Sequence, residues 1–167
     1  MEGSQFEKGL IFYLRILMGW TFLYASSHQL FDPKFSASGF LQHTKTFHDF
    51  FIVFASPAMQ PITDFLVQWG HFLIGLSLLF GLLVRVSGVF GILLMATYYF
   101  AHMDFPYIEA QTNLLVDYHV IYIAVIGYLI LKRAGHVWGL DGIVEKMGFV
   151  VYHPARAADQ LRQESAL

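Results

Sequence analysis

The chain contains no cysteine. Disulfides, thiol catalysis, iron–sulfur ligation and the usual structural zinc sites are therefore excluded. Charge is scarce too: Asp, Glu, Lys and Arg make up 13% of the residues and apolar types 56%. A soluble domain carries about 25% charged residues and roughly 45–50% apolar ones. A net charge of −2 offers no basic face, so no nucleic-acid partner is expected. The sequence shows no internal repeat, no low-complexity tract and no sign of a second domain.

What is present is length of apolar sequence. Four stretches stand out, at residues 10–30, 65–84, 86–102 and 114–131, counting 21, 20, 17 and 18 residues. A membrane-crossing helix needs about 20 mostly apolar residues, with roughly 17–25 tolerated. A soluble helical bundle is the competing architecture, and the second and third stretches leave it no polar face. The segment before the first stretch carries Glu2, Glu7 and Lys8, unlike the basic start of a signal peptide. The first stretch is therefore expected to be a retained helix. The fold class that follows is all-α: a polytopic membrane protein built as a four-transmembrane-helix bundle.

Orientation follows from the cations. Lys8, Arg85, Lys132, Arg133, Lys146, Arg156 and Arg162 fall on one side of four successive crossings, and Arg15 can snorkel to that side. Only Lys34 and Lys45 fall on the other, a split of eight to two. Excess Lys and Arg marks cytoplasmic segments, so both termini are expected in the cytoplasm and the chain in the plasma or inner membrane. The long outer connection, 31–64, is expected to hold a short interfacial helix at 47–54, stopped by Ser56-Pro57. Beyond the last crossing, Gly135, Gly139 and Gly142 break the helix, and a cytoplasmic amphipathic helix is expected over 140–149. The domain division is 1–146 for the membrane unit and 147–167 for a polar C-terminal tail.

Topology turns scattered polar residues into a pattern. His28, His43, His48, His71, His102 and His119 all belong to the outer side, with Asp32, Asp49, Asp64, Asp104, Glu109 and Asp117. At a rise of about 1.5 Å per residue, His71 lies roughly 9 Å below the start of its helix and His119 about 7–8 Å below its own. Ionisable groups at that depth are costly unless they face the bundle interior or water and have partners. Gly88, Gly91, Met95, Tyr98 and His102 share one helical stripe. Asn113, Asp117, Val120, Ala124 and Gly127 share another, and small residues on a stripe permit close helix approach in lipid. Convergence of His71, His102 and Asp117 inside the bundle is expected, with Tyr98 and Gln68 at the edge. Asp117 is expected to pair with His71, His102 or Arg15. On a continuous helix Asp117 and His119 would point about 160° apart and could not share a pocket.

Three chemistries are compatible with these residues. One is a quinone headgroup site, which needs donors to two carbonyl oxygens and a proton-accepting group in an apolar slot. Asp117, His71 and His102 are its candidate catalytic residues, and Gln68, Trp69, Tyr98 and His119 its candidate cofactor-binding ones. A second is haem ligated by His71 and His119, or a divalent metal held by His102, Asp104, Asp117 and His119. In the third the polar groups satisfy one another, lock the bundle and seat a neighbouring subunit.

The residues also carry a resemblance. LRILMGWTFLYASSHQLFDPKFS, GHFLIGLSLLFGLLVRVSGVFGILLMATYYFA, NLLVDYHVIYIAVIGYLIL and GHVWGLDGIVEK resemble the DoxX/DoxD superfamily. Within it they are most similar to the DoxD-like branch, the small membrane subunit of thiosulfate:quinone oxidoreductase. Arg15 with Gly19 and Phe22, 30–33, Gly75 with Gly81 and Arg85, and Trp138-Gly139-Leu140-Asp141 carry it. The resemblance implies a four-helix membrane bundle that passes electrons toward the quinone pool with a partner subunit. Many such relatives place a Glu near the start of the second helix, where this chain has Gln68 and His71. The alternative is a non-catalytic accessory or assembly subunit of a larger membrane complex, since 167 residues hold no soluble catalytic domain. The expected surroundings are the lipid bilayer and other membrane or outer-side subunits.

Overall fold

The computed structural model describes residues 4–147. The expected tail lies outside them, apart from its first residue, and so do the last two residues of the helix expected over 140–149. Seven α-helices follow in order: α1 Gln5–Leu30, α2 Ser38–Leu41, α3 His48–Phe51, α4 Gln60–Phe80, α5 Val84–Ala101, α6 Tyr118–Leu131 and α7 Leu140–Lys146. Helices α1, α4 and α5 are each long and apolar enough to cross a membrane. Helix α1 packs chiefly on α4 and α5 chiefly on α6, while α4 against α5 joins the pairs. Ile11, Met18, Phe22, Ile74, Leu78, Val84, Met95, Ile126 and Leu129 fill the space between them.

Small residues set these approaches. On α1 and α4, a Cβ at Gly19 would lie 3.1 Å from the Gly75 carbonyl oxygen, and one at Gly75 would lie 2.8 Å from the Leu23 backbone nitrogen. Backbone meets backbone there, which holds helices together by dispersion where lipid removes the hydrophobic drive. On α5, Gly88 receives Ile130 and Ile126 of α6. The inward face of α6 is thus His119, Ile126 and Leu129. The stripe expected to face inward does not: Ala124 is exposed and a Cβ at Gly127 would meet nothing within 4 Å. Large side chains on α6 fill the notches on α5, so two small-residue stripes never meet.

The fourth helix is shorter than expected. It starts at Tyr118, and its 14 residues rise about 21 Å, against a hydrocarbon core of about 30 Å. Residues 103–114 form an antiparallel three-stranded sheet instead, β1 Met103–Asp104, β2 Tyr107–Ile108 and β3 Ala110–Leu114. The architecture is all-α, with a small β meander in the connection between α5 and α6. Ala-Gln-Thr-Asn-Leu lacks any apolar periodicity, and the buried Ile108 anchors the sheet. The 31–59 connection carries α2, α3 and a 3₁₀ turn at Ile52–Ala55. Leu41, Phe51 and Ala55 bury against Ala101 at the end of α5. The expected interfacial helix is thus two short turns folded onto the bundle end.

The other end of the bundle is closed by buried charge. Arg15, expected to snorkel to the surface, is 1% exposed. Its Nη1 donates to the carbonyls of Ala134 at 2.7 Å and Val137 at 2.9 Å, and its Nη2 to that of Trp138 at 3.1 Å. Asp141, also buried, accepts from the backbone N–H of Leu83 at 2.7 Å and of Val84 at 3.3 Å. Its own N–H donates to Gly81 at 2.8 Å. The α5 N-cap residue Leu83 makes no side-chain cap, so Asp141 supplies the missing acceptor and a negative charge at the positive helix end. Gly81 sits at φ +67°, where a Cβ would collide with the Arg15 guanidinium. Segment 134–141 therefore ties α1 to the α4–α5 turn.

Replacing Arg15 by Met keeps the apolar stem and removes the donor from three carbonyls, the one at Ala134 buried. A hydrogen bond to a charged group contributes about 1.5–3 kcal/mol, so Arg15→Met is expected to lower stability in detergent by about 3 kcal/mol or more. A thermal midpoint equal to the unaltered protein's would show that the closure contributes nothing.

Candidate functional site

At the end opposite Arg15 the four long helices diverge around a cavity of about 620 Å³, within the range of roughly 300–1,000 Å³ typical of ligand pockets. Helix α1 contributes Phe22 and Gln29, α4 contributes Val67 and His71, α5 contributes Tyr98 and His102, and α6 contributes His119 and Tyr122. Phe40, Leu41, Phe51 and Phe54 of the 31–59 connection roof it. Asp64 fixes the roof by accepting from the Ala37 N–H at 2.7 Å, and Gln60 Nε2 donates to Ser36 Oγ at 2.9 Å. Exposed Phe50, Thr97 and Tyr118 form the mouth.

The polar lining is a connected set of rings. His71 stacks on Tyr98 with centroids 5.4 Å apart, Tyr98 stands 6.0 Å from His119, and His119 lies 5.1 Å from His102. Each imidazole is anchored through Nδ1. His71 Nδ1 donates to the Val67 carbonyl at 2.7 Å, His102 Nδ1 to the Tyr98 carbonyl at 2.9 Å, and His119 Nδ1 to Asp117 Oδ2 at 2.5 Å. Because each acceptor is an oxygen without a hydrogen, Nδ1 carries the proton in all three. Nε2 is left as the second nitrogen of every neutral ring, an acceptor. The cavity also holds one orphan: Gln29 Oε1 is buried without a hydrogen-bond partner. Such a group is rare in native structures and costly unless a bound molecule or water supplies a donor.

The expected residues divide. His71, Tyr98, His102 and His119 come together around the cavity. Asp117 stands behind His119, not in the lining, and its partner is none of the three expected. It is not a helical residue at all: with φ −133° and ψ −170° it is the N-cap of α6. Its Oδ1 accepts the His119 N–H at 3.0 Å while Oδ2 takes Nδ1 of the same residue. The expected 160° divergence assumed a helix that has not begun at Asp117. Gln68 misses the lining, its amide donating to the Gln29 carbonyl at 3.3 Å. Trp69 is 40% exposed and packs on Phe65 and Phe72, away from the cavity. Asp104 is exposed and ion-paired with Lys45 at 2.5 Å. Among the described residues no three His, Asp or Glu side chains are grouped to hold a metal.

Sequence reasoning missed Gln29 and the aromatic roof. Gln29 had one usable signal: it lies seven residues, two turns, after Phe22 on the buried face of α1.

A bundle of apolar helices with a histidine-lined cavity at one end defines a class: a polytopic helical membrane protein. The chain belongs to the DoxX family, whose model it matches over residues 10–103. That match runs from α1 through α5 and includes the roof. No curated protein and no solved structure matches the chain.

The Asp117–His119 pair yields a testable contrast. Asn caps helices about as well as Asp, whereas Ala at an N-cap costs about 1 kcal/mol. Asp117→Asn is expected to keep the thermal midpoint close to that of the unaltered protein, and Asp117→Ala to lower it clearly. Equal midpoints for the two variants would show that the cap does not stabilise α6.

Proposed function

We propose that this protein is the membrane subunit of a quinone-linked oxidoreductase and holds the quinone ring in the cavity between α1, α4, α5 and α6. The carrying observation is the lining: three imidazoles with Nδ1 tied back, a phenol and an unpartnered amide oxygen, set in apolar walls. If these polar groups served only to lock the helices, they would bond one another. Instead each imidazole turns its Nδ1 to a local oxygen acceptor, leaving Nε2 acceptors as ligand groups, with the Tyr98 hydroxyl beside the Gln29 side chain. A quinol hydroxyl matches an Nε2 acceptor or Gln29 Oε1, and a quinone carbonyl matches the Tyr98 O–H.

His119 is the best-placed proton carrier. Asp117 fixes its tautomer and would stabilise the imidazolium formed if Nε2 takes a proton, the role a buried carboxylate plays beside a histidine base. Asp117 is thus a positioning residue. His71 and His102 line the same space and orient the ring. The quinone supplies two-electron chemistry when bound, and a partner subunit would supply the electrons, as in the thiosulfate:quinone type to which the DoxD-like resemblance points. The four long helices would all cross the membrane. The cation excess puts the Arg15 end in the cytoplasm.

The test is purification from the native membrane with quantification of extracted quinone. Stoichiometric quinone is expected. Thr97→Trp at the exposed mouth should strip it without lowering the thermal midpoint, and Tyr98→Phe should weaken retention about threefold to tenfold, as for one lost hydrogen bond. Asp117→Asn should slow quinone reduction with assembly intact. A large complex recovered intact and free of quinone would overturn the reading in favour of an accessory or assembly subunit.

A further inference from the structure

A quinone that resides in a bilayer carries a long hydrocarbon tail, so a cavity that holds its ring needs an exit for the chain. The rim of the larger cavity is exposed on two sides, and the two differ in chemistry. On the α6 side it is formed by Tyr118, the first residue of that helix. The Tyr118 hydroxyl lies beside the carboxylate of Glu109, an exposed residue. A tail leaving there would pass a carboxylate at the polar end of the bundle.

On the α5 side the rim is Phe50 and Thr97. Phe47 meets Phe100 edge-on at 5.6 Å, and Phe51 and Ala55 bury with Ala101, so this part of the roof rests on the end of α5. Thr97 precedes Ala101, the last residue of α5, by one turn, about 6 Å along the axis. Its hydroxyl donates to the Leu93 carbonyl at 2.9 Å, which satisfies the group within the helix, as hydrocarbon surroundings require. Leu93 and Phe90 follow Thr97 at helical spacing of four and three. They are 57% and 61% exposed, on a helix long and apolar enough to cross a membrane. An apolar stripe thus starts at the cavity rim and runs about 10 Å along the helix, away from the roof.

We propose that the ring enters the cavity from the bilayer, between the roof and α5, and that its hydrocarbon tail leaves past Phe50 and Thr97 to lie along Leu93 and Phe90. The inference rests on the quinone reading and deepens it: the ligand is a tailed quinone dissolved in the leaflet at the histidine end. Lipid chains cover this face otherwise, so the tail gains little by lying there. What the exit provides is a path on which a ring held in the cavity drags no hydrocarbon through water or past a carboxylate.

The test uses the full chain in lipid nanodiscs and two photoreactive ubiquinone analogues, one with an azide on the ring and one with a diazirine near the start of a saturated tail. Labelled residues are mapped by peptide mass spectrometry after illumination. The ring probe is expected to label Tyr98 and His102, and the tail probe to label Thr97, Leu93 and Phe90 several-fold more than Tyr118 and Ile121. An excess of unlabelled tailed quinone should suppress both patterns. Thr97→Trp should lower tail labelling of Leu93 and Phe90 several-fold, and Ile121→Trp, on the exposed face of α6, should leave it unchanged. Tail labelling centred on Tyr118 and Ile121 would overturn the exit while the quinone reading stands. So would tail labelling that excess quinone leaves intact, the mark of a probe merely dissolved in lipid. Absence of suppressible ring labelling in the cavity would overturn the quinone reading itself, and this inference with it.

Discussion

The Arg15 guanidinium sits inside an apolar bundle without touching a carboxylate, and much of the architecture follows from how that charge is tolerated. An isolated buried cation is expensive. Here three carbonyls of segment 134–138 converge on it, and Asp141 stands one step away on the same segment. The chain must therefore leave α6, turn through a left-handed Arg133, and run back across the bundle end. Only then do the carbonyls reach α1 and the Asp141 carboxylate reach the first amides of α5. Gly81 is required at the crossing because its φ is +67° and any side chain would strike Arg15. Arg15, Gly81, Gly139 and Asp141, which carry much of the family resemblance, belong to this single junction. Their co-occurrence in the sequence has a mechanical reason.

The two ends are held in different ways. At the Arg15 end the helices are tied by charge and by the tight α4–α5 turn. At the histidine end the connections are long, and the roof is held by Asp64 to Ala37, Gln60 to Ser36, Thr46 to Met103 and Phe105, the Lys45–Asp104 ion pair and the small cluster of Leu41, Phe51, Ala55 and Ala101. Between the ends, Gly19 against Gly75 brings α1 and α4 backbone to backbone, whereas Gly88 admits Ile130 of α6. Aromatic and histidine side chains take over where the small residues stop, and they hold the helices apart enough for a cavity.

Much of this was legible in the sequence. Hydrophobic length located α1, α4 and α5, and topology brought His71, Tyr98, His102 and His119 to one end. The inward stripe of α5 was read correctly through Gly88, Gly91 and Met95, because small residues recur there at helical spacing. The same logic failed on α6, where bulky residues face inward to fill the notches of α5. A stripe of small residues marks a contact only if the partner offers something to receive. Asp117 was misplaced for a different reason: the apolar stretch was taken to begin at Leu114, but an Asp immediately before an apolar helical run is an N-cap signal that starts the helix after it. Trp69 and Gln68 were assigned by depth alone. Depth is one coordinate of two, and the rotation of α4 turned both away from the cavity.

The two ends differ less in how completely their polar groups are matched than in the space around them. Both hold buried polar groups in apolar surroundings, where an unsatisfied group is costly. At the Arg15 end both guanidinium Nη atoms and both Asp141 oxygens are matched inside the chain, while Arg15 Nε is buried without a partner. At the histidine end the matching stops half way. Nδ1 of each ring is bonded, which fixes orientation and tautomer, while Gln29 Oε1 is left buried and alone. Each end thus holds one buried orphan, and what differs is that the one at the histidine end belongs to the lining of a cavity of about 620 Å³. The space beside Gln29 Oε1, rather than the orphan by itself, leaves room there for a donor from outside the chain.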